Sequence, residues 1–113
     1  MSIKFKEGVL LTDGHSCIKK ETVEAMSRVS IYFDYRYQED VVVTSVLDGK
    51  HKDGSMHYLG KAFDIRTWTT PYSGVQVTQG KKNLLCYDIQ NMLGEDFDVI
   101  AEKTHIHIEY DPK

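Results

Sequence analysis

Apolar positions recur along the chain with two different periods, and each period predicts a kind of element. From about Ile18 to Tyr35, the residues Ile18, Val23, Met26, Val29, Ile31 and Phe33 return at a rough helical spacing. Glu21 and Glu24 stand early in that run, where carboxylates suit the positive end of a helix dipole. An amphipathic first helix is expected there. "DVVVTSVL", residues 40 to 47, is a β-branched apolar run with the length of a buried strand, and it stops at the turn-forming "DGKHKDG". "KAFDIRTW" alternates Ala62, Asp64 and Arg66 against Phe63, Ile65 and Thr67, so Asp64 points away from the face of Phe63 and Ile65.

After the loop "TTPYSG", the run "KKNLLCYDIQNMLG" brings Leu84, Leu85, Ile89, Met92 and Leu93 to helical spacing and closes on Gly94, a helix stop. "DFDVIAEKTHIHIEYD" then reads as two short strands around "EKT". The order α-β-β-α-β-β predicts an α+β fold, a small antiparallel sheet with two main helices. Two such helices argue against an all-β barrel of the cupin kind, which also uses a His-x-His pair.

Composition narrows the partners more than the chemistry. A chain of 113 residues suits one domain, 1–113, with one core, and it is expected to work as a monomer. Apolar residues make up 41%, charged residues 27% and the formal net charge is −3, which offers no basic surface for nucleic acid. "MSIKFKEGVLLTDG" holds only a four-residue apolar run, too short for a signal-peptide core, and no window approaches a membrane span. Synthesis in the cytoplasm is the expectation. Cys17 and Cys86 have no closely spaced partner and read as reduced packing residues.

The chemistry gathers in two segments. In "HIHIE", residues 105 to 109, His105, His107 and Glu109 alternate with Ile106 and Ile108, so three potential ligands share one strand face. In "DGSMHYLGKAFDIRT", residues 53 to 67, His57 and Asp64 stand seven positions apart across Gly60 and Ala62. Four of the five histidines, at 51, 57, 105 and 107, fall in or beside these segments, and His15 stands outside as a surface residue. A divalent transition metal needs imidazoles and a carboxylate converging from rigid elements, and a catalytic site leaves one position open. Two strands and a loop can supply that arrangement.

These residues carry a resemblance. "SMHYLGKAFD" fits the pattern Ser-x-His-x-x-Gly-x-Ala-x-Asp, and "HIH" follows about forty residues later. Together they resemble the zinc peptidases related to D-alanyl-D-alanine carboxypeptidase and to phage endolysins that cleave peptidoglycan peptides, a superfamily that includes the hedgehog signalling domain. The likeness covers roughly the last two-thirds of the chain and implies a hedgehog-like α+β fold. The compact form, without a wall-binding domain, is most similar to short phage peptidases and implies a phage origin. Such a protein would be made in the host cytoplasm and act at the cell wall, reached through a membrane lesion or carried in the virion.

Carried over by position, the resemblance implies that His57, Asp64 and His107 hold Zn2+ and that the fourth position is left to water. It implies a role for His105 in hydrogen-bonding that water or the oxyanion, and for Glu102 as the carboxylate that moves the proton, with Glu109 as its rival. Strand parity sets Glu102 and His105 on opposite faces, so the role requires a bulge or turn at "EKT". His51 takes the place of a loop histidine that touches substrate or the loop, and Ser55 orients the loop or hydrogen-bonds a ligand. Gly60 allows the turn between the His57 loop and the Asp64 strand, and Ala62 keeps the face clear for the metal. The implied substrate is a peptidoglycan stem peptide, cut between L-Ala and D-Glu or before a terminal D-Ala. One departure stands out: the arginine that these carboxypeptidases carry before the first motif is missing from "SVLDGKHKDG", leaving Lys50, Lys52 or Arg66 as substitutes. A zinc-binding module without hydrolase activity, as in hedgehog domains, is the main alternative, and a protein whose histidines are simply exposed is the plainest.

Overall fold

A computed structural model describes residues 3–49, 51, 54–67 and 79–112. The sequence loop "TTPYSG" and the arginine substitutes Lys50 and Lys52 lie outside the described residues. The elements run β1 (Ile3–Phe5), α1 (Lys20–Tyr37), β2 (Val41–Ser45), a short 3-10 helix (Met56–Leu59), β3 (Ala62–Arg66), α2 (Gln79–Leu93), β4 (Phe97–Ala101) and β5 (His105–Tyr110). The architecture is α+β: two helices and one five-stranded sheet in the order β1-β2-β3-β5-β4.

The helices differ from their sequence reading in phase more than in place. In α1 the buried side chains are Thr22, Ala25, Met26, Val29, Ser30 and Phe33, whereas Val23 and Ile31 are exposed. The 3.6-residue period lets one stripe face the sheet, and the small residues Ala25 and Ser30 fill that stripe where a hydropathy pattern favours Val23 and Ile31. In α2, Leu85, Cys86, Ile89 and Leu93 are buried and Leu84 is exposed, again one stripe. Gly94, in the left-handed conformation, ends that helix with its N–H on the Gln90 carbonyl. Burial raises the Cys86 thiol to about 11, which keeps it inert. Cys17, by contrast, is exposed, because it lies in the turn before α1 begins and not in the packed helix.

The sheet is mixed. β2, β3, β5 and β4 are antiparallel neighbours as expected, but β1 joins the edge parallel to β2, with Ile3 beside Val41 and Phe5 beside Val43. Three residues are too few to show a period of two, so this strand leaves no signal in the sequence. Alternation then separates the faces of the sheet. Phe63, Ile65, Ile106 and Ile108 join the helices in the core, each no more than 1% exposed, while Asp64, His105, His107 and Glu109 take the other face. The cost of leaving polar groups together on one face is met by apolar burial on the other.

Gly60 ties the first helix to the loop that carries His57. Its φ is +69°, and a Cβ there would overlap the Cys17 carbonyl. Its own carbonyl accepts from Thr22 Oγ1 at 2.8 Å and from the Lys19 N–H at 3.0 Å. Gly94 has a similar φ, +92°, but open space around it. Gly94→Ala is therefore expected to cost about 1 kcal/mol, the conformational penalty alone. Gly60→Ala is expected to cost more than about 2 kcal/mol, because backbone must also move. Urea unfolding of the two variants measures the difference.

Candidate metal centre

Three donor atoms form a nearly equilateral triangle. His57 Nε2 lies 3.1 Å from Asp64 Oδ1 and 3.2 Å from His107 Nδ1, and the third side, His107 Nδ1 to Asp64 Oδ1, is 3.1 Å. Each comes from a different element: the 3-10 helix, β3 and β5. Asp64 and His107 are direct partners in the β3–β5 ladder, so their side chains rise side by side. His57 arrives from above, at the start of the short helix that Ser55 caps by accepting the His57 N–H at 3.2 Å. Ser55 thus orients the loop. The three residues make a group capable of holding a metal ion.

Both imidazoles are held in the tautomer that turns a lone pair inward. His57 Nδ1 donates to the Val46 carbonyl at 2.7 Å, which leaves Nε2 free to coordinate. That carbonyl stands just beyond the end of β2, where the β2–β3 register shifts between Val43 and Ser45. His107 Nε2 donates to Glu109 Oε1 at 2.7 Å, which leaves its Nδ1 facing Asp64 and His57. Glu109 therefore holds a ligand from behind, a carboxylate–histidine pairing that orients imidazoles around metals. His51 lies flat on the His57 ring, 3.8 Å between centroids and 5° between planes, with its Nε2 donating to the Asp48 carbonyl at 2.9 Å. Tyr58 clamps the His51 backbone, accepting its N–H and donating to its carbonyl, each at 2.8 Å. His51 supports the loop and the His57 ring.

Three acceptor atoms this close repel one another unless positive charge lies among them. Without metal, protons answer that demand. Burial pushes the Asp64 carboxyl up, but its hydrogen bonds with His107 and His57 outweigh burial and hold it well below the usual carboxylate range. Burial pushes His107 down, but Asp64 and Glu109 outweigh it and raise its pKa above the ordinary histidine value. Asp64 is 6% exposed and His57 2%, so little water screens these charges.

The remaining sequence candidates fall around the triangle. His105 Nε2 stands 3.6 Å from the outer oxygen of Asp64, close by but not hydrogen-bonded, and its side chain is a third exposed. Arg66 is the ladder partner of His105 and so shares its face. Among the described residues, it is the arginine substitute placed on this side of the sheet. Glu102 is exposed, and its N–H donates to the His105 carbonyl at 2.8 Å. Parity counted along one strand had set these two residues on opposite faces. A two-residue turn at Lys103 and Thr104 makes them cross-strand partners instead, and partners share a face. His15 is exposed and far along the chain from both motifs.

Two features lay beyond sequence reading. One is the Val46 carbonyl, invisible because any residue supplies it. The other is Lys82, 2% exposed, whose ammonium donates to the carbonyls of Glu102 at 2.7 Å and Lys103 at 2.8 Å. A lysine next to another lysine near a helix start reads as solvent-facing, and nothing in its local pattern marks it otherwise.

No protein-family model matches the chain, and neither a curated protein nor a solved structure matches it.

Glu109 meets the donor triangle through His107, whose Nε2 it accepts from. Glu109→Ala is expected to leave metal binding at one ion per chain and to weaken it roughly 10- to 100-fold, the usual consequence of losing such a partner. Competition with a chromophoric chelator reads both the number and the affinity.

Proposed function

We propose that this protein is a zinc-dependent peptidase that hydrolyses amide bonds in peptidoglycan stem peptides. The observation that carries the reading is the donor triangle. Zinc–ligand bonds of about 2.0–2.1 Å meeting at tetrahedral angles separate donors by roughly 3.3 Å, and the three sides here are 3.1, 3.2 and 3.1 Å. Two imidazoles and a carboxylate are borderline donors that suit zinc, and three protein ligands leave the open position that hydrolytic centres keep. The likeness of "SMHYLGKAFD" and "HIH" to the zinc peptidases and phage endolysins supplies the substrate class, and an endolysin-like cut between L-Ala and D-Glu is the favoured bond.

A zinc ion held here would polarise the scissile carbonyl and bring the pKa of a water near 7. The remaining steps belong to the chain. Asp64, held ionised, supplies the negative charge that retains a cation, and the two imidazoles turn Nε2 of His57 and Nδ1 of His107 toward it. Glu102 takes the proton from the attacking water and returns it to the leaving amine. His105, at the edge of Asp64, hydrogen-bonds the developing oxyanion. Arg66, beside His105, supplies a planar cation for a substrate carbonyl or carboxylate in place of the missing arginine.

The deciding experiment combines metal analysis with mass spectrometry of digested peptidoglycan. The wild type is expected to carry one zinc and release stem peptides, and His57→Ala to lose both. Glu102→Gln is expected to keep its zinc and lose about 10²- to 10⁴-fold in kcat, the range for a general base. Zinc without released peptides from the wild type would favour a non-catalytic, hedgehog-like binding module. No stoichiometric metal would refute both readings.

A further inference from the structure

The turn between β4 and β5 is exposed at its surface and yet held throughout. Glu102, Lys103 and Thr104 all face solvent, and a two-residue hairpin turn of this kind ordinarily leaves its carbonyls to water. Here every backbone carbonyl from 102 to 105 has a donor from the protein. Lys82 Nζ reaches those of Glu102 and Lys103 at 2.7 and 2.8 Å, Thr67 Oγ1 reaches that of Thr104 at 3.1 Å, and the Glu102 N–H reaches that of His105 at 2.8 Å.

The two side-chain donors come from α2 and from the residue that follows β3, the strand that supplies Asp64. The turn is thus tied to the element that bears a metal ligand.

Burying an ammonium is a costly way to close a hairpin. Lys82 is 2% exposed, and no carboxylate among the described residues pairs with it. Among the described residues its charge is met by two carbonyl dipoles. An apolar residue at this position would pack without that cost, so hairpin stability does not account for a lysine here. What the ammonium supplies is convergence: two successive carbonyls are drawn to one point, which sets the peptide plane that follows Glu102, while the bond from the Glu102 N–H to the His105 carbonyl sets the plane that precedes it.

We propose that Lys82 is a positioning residue that aims Glu102 at the metal centre, with Thr67 as its weaker partner on the same turn. This assignment rests on the hydrolase reading and on Glu102 as its base. A displacement of about 1 Å in a group that moves a proton lowers a rate by as much as 10²-fold, so the tethers act on turnover and not on metal binding.

The test is the coupling between the two residues. Lys82→Met, Glu102→Gln and the double variant are compared for zinc content and for kcat and KM on a soluble stem peptide. Lys82→Met is expected to bind one zinc, to lose roughly 10- to 100-fold in kcat with KM little changed, and to lose nothing further when Glu102→Gln is already present. A purely structural lysine would lower the residual rate of Glu102→Gln as well, and that result overturns the proposal, as does an unchanged kcat. If Lys82→Met does not fold, Thr67→Val carries the same comparison with a smaller loss that also vanishes in the Glu102→Gln background. A wild type that binds zinc but turns nothing over overturns the hydrolase reading and this assignment with it. Wild-type turnover with uncoupled losses overturns this assignment alone.

Discussion

The pairing of Asp64 with His107 across β3 and β5 is the constraint on which the rest of the centre depends. In an antiparallel ladder, direct partners carry their side chains to one face at close range, so this register alone brings a carboxylate oxygen and an imidazole nitrogen to 3.1 Å. It also puts Arg66 beside His105 and Ala62 beside Glu109. A slip of one residue would turn His107 into the core and Ile108 or Ile106 out to solvent. The isoleucines prevent it. Both are fully buried, and the apolar area they remove from water far outweighs any gain from another pairing. The core thus sets the geometry of the polar face without touching it.

Around that pair the structure supplies orientation. The Val46 carbonyl and the Glu109 carboxylate each take the outer N–H of an imidazole, so two lone pairs and one carboxylate oxygen meet in a space fit for one cation. This is an electrostatically frustrated arrangement in a protein that is otherwise locally consistent, and such sites are where function is normally found. The Gly60 backbone, packed against Cys17 and Ile18, holds the approach of the His57 loop. The loop is therefore part of the scaffold and not an appended flap.

Much of this was legible in the linear chain, and for definable reasons. Alternation in "KAFDIRTW" and "HIHIE" depends on the two-residue repeat of a strand, which holds wherever one face is buried, and it sorted Asp64, His105, His107 and Glu109 from the core isoleucines. Gly60 and Gly94 followed from their conformational freedom. The helices were visible as well, although their facing was misread at Val23 and Ile31, because small residues such as Ala25 and Ser30 pack as readily as large ones.

Tertiary structure decided what depends on partners distant in sequence. β1 exists because β2 offers it an edge, which three residues cannot announce. Glu102 and His105 became neighbours only when the chain reversed between them, since parity along one strand says nothing of parity across a turn. His105 and His107 look equivalent in "HIHIE", and only the ladder separates the one paired with Asp64 from the one paired with Arg66. The burial of Lys82 was undecidable locally, because it depends on the carbonyls of Glu102 and Lys103 that folding brings to its ammonium. Which side chains share a face follows from the linear chain, through the geometry of one strand. Which of them meet, and which atom each one presents, was left to strand register and to backbone groups that every residue carries alike.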